Sequence, residues 1–183
     1  MKNFKKEWIK IFLGIAAGFL FRIIPIRPPN IEPILALQMP FAKTYGAGIG
    51  FAFSFFSILI YDFFTGTVGQ WTFITSLTYG TIGIAAALYF KNRASTAFSY
   101  AGFAVIATLF FDAVTGLTIG PLFFHQPLKS AFIGQIPFTF WHLIGNVSFA
   151  LVLSPAVYNL LNRSYKLKDV SIFNILNLKQ YEK

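Results

Sequence analysis

Long apolar runs, each closed by a short polar joint, leave this chain few folds to choose from. A bilayer core of about 30 Å is crossed by about 20 largely apolar helical residues, fewer where a helix is short and covered by protein. On that measure the sequence divides into six spans, roughly Trp8 to Ile24, Glu32 to Ala42, Gly46 to Phe64, Gln70 to Phe90, Ala97 to Leu117 and Gly134 to Tyr158. The second is short and interrupted by Pro40, and Pro25, Pro28, Pro29 and Pro33 make the joint before it an ordered, non-helical loop. Only 11% of the residues are charged, where soluble domains carry about 25%. The expected fold is therefore an all-α integral membrane protein, with one six-helix domain over residues 1–160 and a basic tail over 161–183. In that tail Leu167, Val170, Phe173 and Leu176 recur at three-residue steps, as in an amphipathic helix at the inner membrane surface. The basic start is not read as a signal peptide, because the first run ends in Arg22-Ile23-Ile24-Pro25-Ile26-Arg27 with no small-x-small cleavage site.

A formal charge of +9 invites a nucleic-acid or anionic-lipid reading. The basic residues, however, fall at the ends of the runs and not in one patch, so they report topology and no nucleic-acid partner is expected. With six spans and the N-terminus inside, the inner segments hold Lys2, Lys5, Lys6, Lys10, Lys43, Lys91, Arg93, Arg163, Lys166, Lys168, Lys179 and Lys183, and the outer ones hold Arg22, Arg27 and Lys129. Twelve against three is the asymmetry of a plasma-membrane protein with both termini in the cytoplasm.

One phrase occurs twice. Tyr61-Asp62-Phe63-Phe64-Thr65-Gly66 returns as Phe111-Asp112-Ala113-Val114-Thr115-Gly116, and Gly69-Gln70 is echoed by Gly134-Gln135. The two echoes are displaced by 50 and 65 residues, which implies two related helix-turn-helix units with an insertion in the later one. On the six-span topology Glu32, Asp62, Asp112, Arg22, Arg27, His125 and Lys129 all reach the outer ends of helices. Charges at membrane depth need a cavity or a partner, so this gathering is a candidate site. The simpler reading of Asp62 and Asp112 is that each caps its own Thr-Gly turn by accepting backbone N–H groups. Glu32 is open to pairing with Arg22 or Arg27, or to binding a ligand.

The last span adds Trp141, His142 and Asn146. His142 and Asn146 are four apart and share a helix face with Phe138 and Phe149 nearby. They can contact a ligand or bond to neighbouring helices. Trp71, Tyr79, Phe123, Phe124 and Trp141 would supply aromatic walls of the kind that line small-molecule pockets. In the first span, Gly14-Ile15-Ala16-Ala17-Gly18 puts two glycines on one face, where another helix can approach closely, inside the bundle or from a partner. No P-loop, no H-E-x-x-H, no cysteine and no nucleophile motif is present, so neither ATP hydrolysis by a P-loop mechanism nor any other enzyme activity, and no cofactor or metal, is expected.

Together these features resemble the substrate-binding S component of energy-coupling factor vitamin transporters. The shared traits are six spans with both termini inside, a proline-rich outer loop after the first helix, a small-residue face on that helix, outer polar groups and an Asn in the last span. The resemblance covers roughly Trp8 to Tyr158. It implies capture of a vitamin-like heterocycle at the outer side, followed by toppling in the membrane on a transmembrane coupling subunit driven by two ATPases. Carried over to this chain, it gives Arg27, Glu32, Asp62, Trp71, Asp112, His125, Trp141, His142 and Asn146 as candidate ligand contacts. Gly14 and Gly18 stand where the family has an A-x-x-x-A docking face. The competing class is a six-span scaffold of the bacterial cell-shape machinery, which binds proteins and has no need of an outward cluster of acids, bases and aromatics.

Overall fold

The computed structural model describes residues 4–26 and 30–178, with side chains described over 7–26 and 30–162. It is all-helical: α1 (Phe4–Ile23), α2 (Ile34–Tyr45), α3 (Ala47–Thr65), α4 (Gln70–Phe90), α5 (Ala97–Gly116), α6 (Ile119–Phe124) and α7 (Leu128–Leu178). Four stretches are long and apolar enough to cross a membrane: Ala47–Thr65, Gln70–Phe90, Ala97–Phe124 and Leu128–Asn162. The third to fifth expected spans agree with α3, α4 and α5 to within a residue or so. The last begins earlier than the Gly-Gln echo suggested, at Leu128, and α7 continues through the expected domain boundary to Leu178. Arg27 and the side chains of the tail lie outside the described residues.

The second expected span is α2, a core helix of 12 residues in which every side chain from Ile34 to Ala42 is buried. Twelve residues rise only about 18 Å, which is too short for the bilayer core on its own. The helix is apolar all round because other helices, chiefly α3, α4 and α7, cover it on every side. Pro40 does not break it. Proline lacks the N–H that would bond the carbonyl of Ala36, and Ser154 of α7 supplies the missing donor, its hydroxyl lying 2.8 Å from that oxygen. The break comes at Gly46, whose φ of 89° suits glycine, and α3 starts at once.

Helices α3 and α4 form the tightest pair. A Cβ on Gly50 would stand 2.6 Å from the carbonyl oxygen of Gly83, so only glycine lets the two backbones cross this closely. Gly66, at φ 69°, ends α3 in a left-handed cap. The second copy of the repeated phrase folds differently. Gly116 stays helical, and the chain passes through Leu117 into α6, which is the predicted insertion.

Gly14 and Gly18 correct the expected docking face. Both are turned into the bundle: a Cβ on Gly14 would lie 2.7 Å from the Phe41 ring and 2.9 Å from Phe53, and one on Gly18 3.6 Å from Leu37. The close approach they permit is that of α1 onto α2 and α3, where Phe41 and Phe53 stack at 4.7 Å. Overpacking of this kind costs about 1 to 3 kcal/mol. Gly14→Leu is therefore expected to lower the unfolding midpoint of the isolated protein in detergent; an unchanged midpoint would mean that this face is free.

Chain direction alternates, so the ends of α1, α3 and α5 and the starts of α2, α4 and α7 meet at one end of the bundle, around a cavity. The other end is basic. There Lys43 donates to the carbonyl of Arg93, Arg93 lies 4.4 Å over the Tyr89 ring, and Lys10 bonds Glu7 at 3.3 Å and the Leu161 carbonyl at 3.4 Å.

Candidate solute-binding cavity

A cavity of ≈ 880 Å³ opens among the ends of six helices, within the range of about 300 to 1,000 Å³ usual for small-molecule sites. Its polar wall is built from three linked groups of side chains.

The first group joins the loop to two helices. Arg22 Nε lies 3.1 Å from Glu32 Oε2, and the Tyr79 hydroxyl donates to Glu32 Oε1 at 2.9 Å. The Arg22 guanidinium also sits 3.9 Å from the centroid of the Tyr61 ring. Glu32, placed by Pro33 at the start of α2, thus ties α1 to α4 with both carboxylate oxygens engaged. Of the two partners open to it, the described one is Arg22.

The second group is Asp62 and Thr72. The Thr72 hydroxyl donates to Asp62 Oδ2 at 2.6 Å across the α3–α4 hairpin. Asp62 is buried, with 7% of its surface exposed, and lines the cavity.

The third group is a two-rung ladder between α5 and α7. His142 Nδ1 lies 2.7 Å from Asp112 Oδ1, and one turn away the Asn146 amide donates to the Thr108 hydroxyl at 2.8 Å. Both rungs follow i, i+4 spacing on both helices, which stacks side chains on one face. Phe111 and Phe138 meet the His142 ring edge-on at 5.6 and 5.7 Å. Asp112 accepts at Nδ1–H whether the imidazole is neutral or protonated. Nε2 is then the nitrogen not engaged by Asp112, an acceptor in the neutral ring and a donor in the charged one.

The turn-capping reading of the two aspartates is corrected by these contacts. Each carboxylate reaches sideways to another helix, and the Gly66 turn is closed instead by backbone bonds from Gly66 and Thr67 to the Asp62 and Phe63 carbonyls. Glu32, Asp62, Trp71 and His142 line the cavity, as expected of ligand contacts. Asp112 stands behind His142, and Asn146, 1% exposed, is spent on Thr108, so neither reaches the cavity surface. Trp141, 52% exposed, is one residue and about 100° round the helix from His142 and points away from the bundle. His125 is exposed after the left-handed end of α6, outside the cavity wall. Of the expected aromatic walls, Trp71 and Tyr79 are in place. Phe123 and Phe124 are not, and Tyr61, Phe111 and Phe138 take their part.

Thr72 and Thr75 were not named as site residues from the sequence, and Thr115 and Gln135 entered only as parts of the repeated phrase and its echo. A signal existed for Thr72: it recurs with Ser76, Tyr79 and Gly83 at helical spacing, and all four are buried. Such a stripe marks the face turned to the bundle interior. Among the described residues no group of three or more His, Asp or Glu side chains could hold a metal ion. No family model, curated protein or solved structure matches the chain.

Proposed function

We propose that this protein is a membrane-embedded binding subunit that captures a small, heterocyclic micronutrient from the outer side of the cell membrane, as an S component of an energy-coupling factor transporter does. The observation that carries this reading is the cavity itself, whose polar groups are gathered at one end of an apolar bundle and walled by aromatic rings. Structural glue needs no such space. The twelve-to-three division of basic residues supports an outward-facing cavity and two cytoplasmic termini. Short, covered α2 then completes a six-span topology with α1.

Binding alone does not move a solute uphill, and the sequence carries no P-loop, so a transmembrane coupling subunit and two ATPases would supply the energy. With Gly14 and Gly18 turned inward, the surface of α1 left for that contact is its exposed apolar side, which includes Ile9, Phe12, Leu13, Ala17 and Leu20.

Orientation gives a direct test, helped by the lack of native cysteine. In intact cells a cysteine placed at Thr75 in the cavity wall is expected to react with a membrane-impermeant maleimide, while one at Lys91 reacts only after permeabilisation. The reverse pattern would rule out capture from outside.

A further inference from the structure

Resting on the reading of the cavity as a solute site, we propose that its ligand is an organic cation. A flat, nitrogen-bearing group would turn its positive end to Asp62 and a second N–H donor to Nε2 of His142.

The argument is one of charge balance. Three carboxylates, those of Glu32, Asp62 and Asp112, stand in the cavity wall or directly behind it, and among the described residues Arg22 is the one guanidinium there. The three are not equivalent. Glu32 has Arg22 on one oxygen and the Tyr79 hydroxyl on the other. Asp112 has the imidazole of His142. Asp62 has the Thr72 hydroxyl on Oδ2, and among the described residues no Lys, Arg or His side chain pairs with it. A neutral hydroxyl orients a carboxylate but does not cancel its charge. A carboxyl group that is 7% exposed inside a membrane domain favours an opposite charge beside it, and the side of Asp62 left open is the cavity.

The rest of the wall agrees. Counted over the described residues, the wall holds two uncompensated negative charges with His142 neutral and one with it protonated, which disfavours an anion in either state. Trp71 and Phe138 present ring faces and edges that accept flat ligands, and aromatic faces attract cations. His142, held through Nδ1, offers its other nitrogen to a donor.

Benzamidinium, benzamide and benzoate are nearly isosteric and differ in charge, which makes them suitable probes. Each is titrated calorimetrically into the purified full-length protein in phosphatidylcholine nanodiscs at one ionic strength. Benzamidinium is expected to bind on the order of tenfold or more tighter than benzoate, with benzamide between them, because the low-dielectric wall strengthens charge complementarity. Asp62→Asn keeps the shape and a partner for Thr72. It is expected to bring the three within roughly threefold of one another, the scale of ordinary uncharged contacts, chiefly by weakening benzamidinium. Equal or tighter binding of benzamide or benzoate to the unaltered protein, or a cation preference that survives Asp62→Asn, would overturn the inference and leave the solute-site reading standing. If the variant does not fold, the ranking on the unaltered protein decides alone. Failure of all three probes to bind at millimolar concentration would remove the solute-site reading, and the inference with it.

Discussion

Replacing His142 by alanine is expected to cost about 3 to 5 kcal/mol of stability, because it strands the Asp112 carboxylate in the bundle interior. The two side chains are 3% and 2% exposed and 2.7 Å apart, so the carboxylate depends on the imidazole for this hydrogen bond. A buried polar pair is weak evidence of net stabilisation, whereas removing one partner and leaving the other unsatisfied is costly. The double replacement of Asp112 and His142 by leucine should therefore recover most of the loss. Unfolding in mixed micelles would check both, and a His142→Ala variant as stable as the parent would show that the pair does not form. Asn146→Ala provides the contrast. Its partner is the neutral Thr108 hydroxyl, so about 1 to 3 kcal/mol is expected, with ligand affinity of the surviving folded protein unchanged. His142→Ala should weaken both stability and affinity.

The second large effect is expected at Glu32. Glu32→Gln removes the countercharge of Arg22 while keeping the acceptor for Tyr79. Side-chain exposures of 14% for Arg22 and 11% for Glu32 admit some water, so the loss should be smaller than at His142, about 2 to 3 kcal/mol. Through this carboxylate the residue before Pro33 is tied to α1 and α4. Arg22→Gln in the Glu32→Gln background should recover part of the stability, since the guanidinium that lost this carboxylate is then gone as well. A melting temperature unchanged by Glu32→Gln, with ligand affinity reduced, would instead make Glu32 a ligand contact and not a clasp.

Much of the architecture was legible because a bilayer imposes length and apolarity on every crossing helix. The bounds of α3, α4 and α5, the polar gathering at one end and the basic residues at the other could all be read from runs and charges. What could not be read was azimuth. In a membrane protein the lipid-facing and core-facing sides of a helix are both apolar, so Trp141 and His142 look alike as candidates although one faces outward and the other the cavity. The register between helices was equally hidden. Asn146 meets Thr108, and Ser154 meets the carbonyl freed by Pro40, only because α7 packs on α5 and α2 at a particular height. The glycines of α1 showed that a close approach occurs there, but not that Phe41 and Phe53 make it. The repeated phrase was a fair guide to position and a poor one to role, since both aspartates reach across to a neighbouring helix.

Native mass spectrometry of the protein purified from its expressing cells, beside a variant with the cavity filled, addresses the central claim most directly. Thr75 lines the cavity and is half-buried, so Thr75→Trp should occupy solute space with little strain on the core. The unaltered protein is expected to carry one small-molecule adduct per chain, whose released component is a nitrogen heterocycle, and the Thr75→Trp variant is expected to fold and to lack it. The same adduct on both proteins, or none on the unaltered one even after incubation with cell extract, would contradict a solute-binding role for this cavity.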